Sequence, residues 1–253
     1  FNPPRYMHLT ELIPAKDTDK SVLEGLEGFL TTTLGKGVVY AKDTPNFIAN
    51  RVGTLAMIST FHHTARLGLG LDVVDALTGP GIGRPKSGTY RLADVVGLDT
   101  LGHVVRTLTE NLKDDPWHPH YVVPAPLAKL VEAGALGQKS GAGFYRKQGK
   151  DILVLDIAKG DYRPSGEKPS DEVQKILAVK NPAEKLAALR ASEDPQAQFV
   201  WSILCDLFQY SAYHLADIAE SAREIDFAMR WGYGWKQGPF ETWQAAGWKQ
   251  VAE

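Results

Sequence analysis

The stretch KDTPNFIANRVGTLAMISTFHHTARLGLG, residues 42–70, constrains the fold more than any other part of the chain. Its apolar residues Phe47, Ile48, Val52, Leu55, Ile58 and Ala65 recur at helical spacing. Asp43 and Thr44 can cap a helix, and Pro45 suits a first helical position because its absent N–H needs no partner there. Gly68 and Gly70 stand where helices end. The pattern predicts one long, largely buried helix that begins near Pro45. Asn46 and Asn50 are one turn apart and so share a face of it. Amides in that position need partners, in the protein or in a ligand.

The flanking segments are read against this helix. Pro3 and Pro4 forbid a helical start, and RYMHLTELIPA then alternates as a strand. Met7, Leu9, Glu11 and Ile13 fall on one face; His8, Thr10 and Leu12 fall on the other. Glu11 among apolar neighbours needs either water at the strand end or a cationic partner. Residues 17–34 predict a helix with Asp17 or Thr18 as its cap and Val22, Leu23, Leu26, Phe29 and Leu30 as its apolar stripe. GVVYAKD predicts a short strand, so that strand–helix–strand forms the edge of a sheet.

Beyond the long helix, Asp72 predicts the cap of a short one. Gly79, Gly81 and Gly83 are not preceded by an apolar strand, so they make a connection rather than a dinucleotide loop. TYRLADVVGLDTLGHVVRTL is helical, with Leu92, Val95, Val96, Leu98, Leu101 and Val105 apolar. His118 and His120 lie in a proline-rich loop with no third ligand at metal-binding spacing. PLAKLVEAGALG predicts a helix, and KDILVLDIA a short strand. KGDYRPSGEKPSDE reads as a polar linker, followed by two short helices broken at Pro182.

Length and charge narrow the classes. The chain has 253 residues, room for one large domain or two smaller ones, with a net charge of −2 that gives no footprint for nucleic acid or anionic membrane. Cys205 is the one cysteine, which excludes an intramolecular disulfide and suits a reducing, cytoplasmic setting. No apolar run reaches the ~18–20 residues that span a bilayer. The chain opens on Phe1 rather than Met, so its true N-terminus is expected to lie upstream.

Residues 196–253 look like a second copy of the helical unit. With Asp75 set on Asp226, Gly81 meets Gly232 and Gly83 meets Gly234; after a one-residue gap Tyr90 meets Phe240 and Gly97 meets Gly247. This copy has EDPQAQFVWSI in place of DTPNFIANR and no equivalent of Asn50. It is expected to serve packing alone.

DTPNFIANR resembles the DTPGFIxNR motif that opens the helical domain of 3-hydroxyacyl-CoA dehydrogenases. FNPPRYMHLTELI is similar to the end of that family's HFFNP segment and the strand after it. LADVVGLDTLG and LGQKSGAGFYRK resemble later motifs, in the family's order. The resemblance implies NAD-dependent oxidation of a (3S)-hydroxyacyl-CoA in fatty-acid β-oxidation. It implies Glu11 as the acid that partners a catalytic histidine, Asn50 as a catalytic residue that places the reacting groups, Asn2 as a substrate contact and Lys139 as a cofactor contact. The histidine belongs two residues before Phe1, outside this chain, and His8 faces away from Glu11.

The expected fold is therefore mainly α, a duplicated helical C-terminal domain with a short N-terminal remnant of an α/β Rossmann domain and no complete Rossmann domain. The expected divisions are 1–40 (remnant), 41–147 (first helical repeat), 148–195 (linker) and 196–253 (degenerate second repeat). The expected function is the substrate-binding and dimerisation portion of the dehydrogenase, inactive alone, with the two repeats packed as an intramolecular pseudo-dimer and a fused enoyl-CoA hydratase domain as a further partner. The alternative is a non-catalytic helical interaction module of the same ancestry.

Overall fold

The computed structural model describes residues 1 and 3–252. Asn2 lies outside the described residues, and so does the expectation placed on it. The chain divides into two compact units: Phe1–Gly53 with Cys205–Glu253, and Thr54–Leu204. Two long helices run from one unit into the other.

The first unit opens with strand β1 (Leu9–Leu12), helix α1 (Lys20–Gly28) and strand β2 (Gly37–Tyr40). β1 and β2 pair in parallel, with Leu9 opposite Gly37 and Leu12 opposite Tyr40. A parallel pair needs a crossover, and α1 supplies it. Leu9 and Leu12 point to opposite faces yet both are buried, the pattern of a strand covered on both sides. Asp19, rather than Asp17 or Thr18, caps α1, its carboxylate accepting from the Ser21 N–H at 2.8 Å. The helix expected to continue to Leu34 ends in a π-turn over Phe29–Thr33, and Val22, Leu26 and Phe29 of its stripe are exposed among the described residues.

Helix α2 (Ala49–Leu67) is the long helix of the opening stretch, but it starts four residues later than Pro45 suggests. Asn46 and Phe47 take left-handed conformations, with φ of 63° and 51°. Asn46 is therefore a turn residue and does not share a helix face with Asn50. Asparagine is among the residues that tolerate this region, and the family motif has glycine at its place; a phenylalanine there is strained.

The second unit holds the rest of α2, then α3 (Leu71–Leu77), α4 (Tyr90–Val96), α5 (Leu98–Asn111) and α6 (Ala125–Glu132). Gly70 rather than Asp72 is the cap of α3; Asp72 is instead a buried acid held by Arg163 at 2.7 Å. Gly97, at φ 98°, breaks the expected single helix into α4 and α5 and leaves Val95 and Val96 exposed. The stretch read partly as a linker is a three-stranded antiparallel sheet of β3 (Tyr145–Gln148), β4 (Asp151–Asp156) and β5 (Asp161–Pro164). α7 (Asp171–Ala178) and α8 (Pro182–Ala191) follow, Asn181 capping the second.

Helix α9 (Pro195–Ile218) returns the chain to the first unit, which α10 (Ala222–Tyr233), α11 (Pro239–Ala245) and α12 (Trp248–Ala252) complete. α10 packs on β1 and β2. A Cβ at Gly37 would strike the Trp231 ring, and one at Gly232 would lie 2.7 Å from Leu9 Cδ2. Backbone and side chain thus interlock with no space left. Lys42 binds the end of α9, its Nζ donating to the Ala216 carbonyl at 2.6 Å, where a cation suits the helix dipole.

The similarity between residues 75–97 and 226–247 has a local cause. Asp75 accepts from the backbone N–H of Thr89, Tyr90 and Arg91 at 2.8, 2.6 and 3.1 Å. Asp226 accepts from Phe240 and Glu241 at 2.8 and 3.2 Å. A buried carboxylate holds the start of the next helix in both places, and Gly88 and Gly238 leave it room. A shared cap is less than a shared domain.

Candidate active site

The site builds from Glu11 upward. Glu11 leaves the middle of β1 toward the N-terminus of α2. Its Oε1 accepts from the Ile48 N–H at 2.9 Å and the Ala49 N–H at 3.0 Å. The left-handed pair at Asn46 and Phe47 is what turns these two N–H groups toward the strand. The first N–H groups of a helix have no partner within it, and their partial positive charge favours a carboxylate. The expected alternatives for Glu11, water or a cation, are thus replaced by a helix N-terminus.

Glu11 is half-buried, and burial pushes its carboxyl up from the usual range, against the bonds from Ala49 and Ile48. Both helix bonds fall on Oε1; among the described residues no hydrogen bond reaches Oε2. Asn50, half-buried, is the second residue of α2 and directly follows Ala49.

Arg51, from the same motif, is buried and reaches the opposite way. Its Nε donates to the Tyr210 hydroxyl at 2.9 Å, and Nη2 lies 3.1 Å from His214 Nδ1. Arg51 thereby ties the first turn of α2 to α9.

Lys139 lies in the second unit. Its Nζ donates to both oxygens of Asp99, at 2.6 and 2.7 Å, bridging the turn before β3 to the start of α5. Among the described residues, the turns that leave β1 and β2 carry Pro14 and Lys42, where a dinucleotide pyrophosphate needs successive backbone N–H groups of a glycine-rich turn. These residues do not by themselves form that cradle.

The model of the 3-hydroxyacyl-CoA dehydrogenase NAD-binding domain matches residues 1–44, and that of the C-terminal domain matches residues 47–147. The chain belongs to the 3-hydroxyacyl-CoA dehydrogenase family. A probable 3-hydroxyacyl-CoA dehydrogenase of Bacillus subtilis is 43% identical over 100% of this chain and 32% of its own length. A 3-hydroxybutyryl-CoA dehydrogenase of Mycobacterium tuberculosis is 37% identical over 57% of this chain and 49% of its own. The crystal structure of Escherichia coli 3-hydroxybutyryl-CoA dehydrogenase superposes with a TM-score of 0.70, covering 99% of this chain and 63% of that one at 21% identity, which establishes a shared fold. The chain spans about a third of the length of the Bacillus relative.

These matches overturn the expectation of a duplicated helical domain behind a mere remnant. Residues 1–44 belong to the NAD-binding domain, so that domain is represented in the chain, and a single C-terminal-domain match follows it. NAD is the cofactor that the matched domain binds. The physical reason for the misreading is the pair of Asp-capped helix starts, which made residues 226–247 resemble residues 75–97.

Proposed function

We propose that this chain is part of an enzyme that oxidises a (3S)-hydroxyacyl-CoA to the 3-ketoacyl-CoA with NAD, in a cytoplasmic setting. The observation that carries the reading is the carboxylate of Glu11, anchored through one oxygen to the N-terminus of α2 with the other oxygen left open. An acid so fixed can hold a histidine by one ring N–H and stabilise it as it takes the substrate's hydroxyl proton. Asn50 stands beside this anchor and places the reacting groups. Lys139 keeps one ammonium donor beyond the two that Asp99 occupies, and that donor serves the cofactor.

Glu11→Gln tests the reading in the dehydrogenase that carries this chain. The amide still accepts from α2 but cannot stabilise a cationic histidine. We expect kcat to fall on the order of 10²-fold with little change in KM. An unchanged kcat rejects the assignment.

A further inference from the structure

The end of α10, Trp231-Gly232-Tyr233, lies in the segment expected to serve packing alone. Tyr233 does more than fill space. A Cβ at Gly53 would collide with both the ring and the hydroxyl of Tyr233, so the phenol is lodged in the notch that this glycine leaves in α2. Gly53 is four residues after Ala49 and lies on the same face of the helix. The Ala49 N–H is one of the two that Glu11 accepts. Two elements distant in sequence thus meet the start of α2: β1 brings a carboxylate to its first N–H groups, and α10 brings a hydroxyl to Gly53, one turn further on. The Tyr233 ring is further fixed by edge contacts to Phe1 and Trp235, with centroids 6.0 and 6.2 Å away. Its hydroxyl has no hydrogen-bond partner among the described residues.

We propose that Tyr233 is a positioning residue of the Glu11 site, its hydroxyl serving the open side of the carboxylate and helping to hold negative charge there. The inference rests on the function proposed above. Packing alone needs only the ring, which a phenylalanine would supply. Burial and the Glu11 charge push the Tyr233 hydroxyl well above the ordinary phenol range, so it stays protonated and is available to donate. The titratable group that responds to the Glu11 charge is this hydroxyl.

The test is Tyr233→Phe, read in two ways. In this chain, carbon-13 NMR follows the titration of the Glu11 carboxyl. Removal of a donor should move the titration to higher pH by about half a unit or more. In the dehydrogenase, a double-mutant cycle with Glu11→Gln measures coupling. Tyr233→Phe should lower kcat about tenfold when Glu11 is intact, the scale of a hydrogen bond to a charged group, and should do nothing further in the Glu11→Gln background. An unmoved Glu11 titration, or an equal loss of kcat in both backgrounds, overturns the proposal. If Glu11→Gln itself leaves kcat unchanged, the proposed function fails; a shifted titration would then still record the contact between the two groups but no catalytic role.

Discussion

Asn46 and Phe47 are two successive left-handed residues, neither of them glycine. Each such residue costs on the order of 1–2 kcal/mol relative to ordinary backbone. The cost is met because the turn presents Ile48 and Ala49 N–H to a half-buried acid. Asn46→Gly should therefore be neutral or stabilising by some tenths of a kcal/mol, and Asn46→Val destabilising by about 1–2 kcal/mol. Urea denaturation of the two variants measures this; a stable Val variant would mean that the turn is not held as described. The motif itself was legible in the sequence at this point, but its conformation was not. Proline followed by a polar residue reads as a helix start, and only the bond to Glu11, far away in sequence, decides that the helix begins later.

Three carboxylates define the helix starts and sheet contacts at the scale of elements. Burial pushes Asp75, Asp94 and Asp226 up to about 6, against the N–H bonds that each accepts. Their unfolded values lie near 3.8. Between these limits the folded chain holds more protons than the unfolded one, so the stability these groups contribute falls as pH rises through that window. For Asp226→Asn, which cannot take up the proton, the advantage of the wild type should be larger at pH 5 than at pH 7, by roughly 1 kcal/mol or more. Denaturation at the two pH values checks the sign; an advantage that grows toward pH 7 would contradict it. Gly238→Ala should destabilise the same start of α11, by about 2 kcal/mol, since its Cβ would run into Asp226. Most helices were legible from apolar spacing and caps. The β5 strand was not: DYRPSGEKP looks like a linker because its partner strand and Arg163's acid, Asp72, lie far off in sequence. Tyr233 was equally hidden; the one sequence signal for it is Gly53, a glycine inside an apolar helix, which marks a close approach without saying of what.

At the scale of the whole molecule, the first compact unit is assembled from the two ends of the chain. Removing everything after Lys147 deletes β4, β5 and α7 to α12, and with α10 the cover over Leu9, Gly37 and Gly53. The truncated chain should lose hydrogen-exchange protection in β1 and β2 and associate in light scattering, whereas α5 and α6, which pack on each other, should keep their amide protection. Full protection of β1 in the truncated chain would show that the strand pair stands without α10. The same arrangement sets a clock on the ribosome. Strand β1 is made before the second unit, and its cover follows only after those roughly 150 residues. At 5–20 residues per second the wait is on the order of ten seconds. For that interval Leu9, Leu12 and Val39 are apolar surface without a lid, and the nascent chain presents a binding stretch for chaperones far from its growing end.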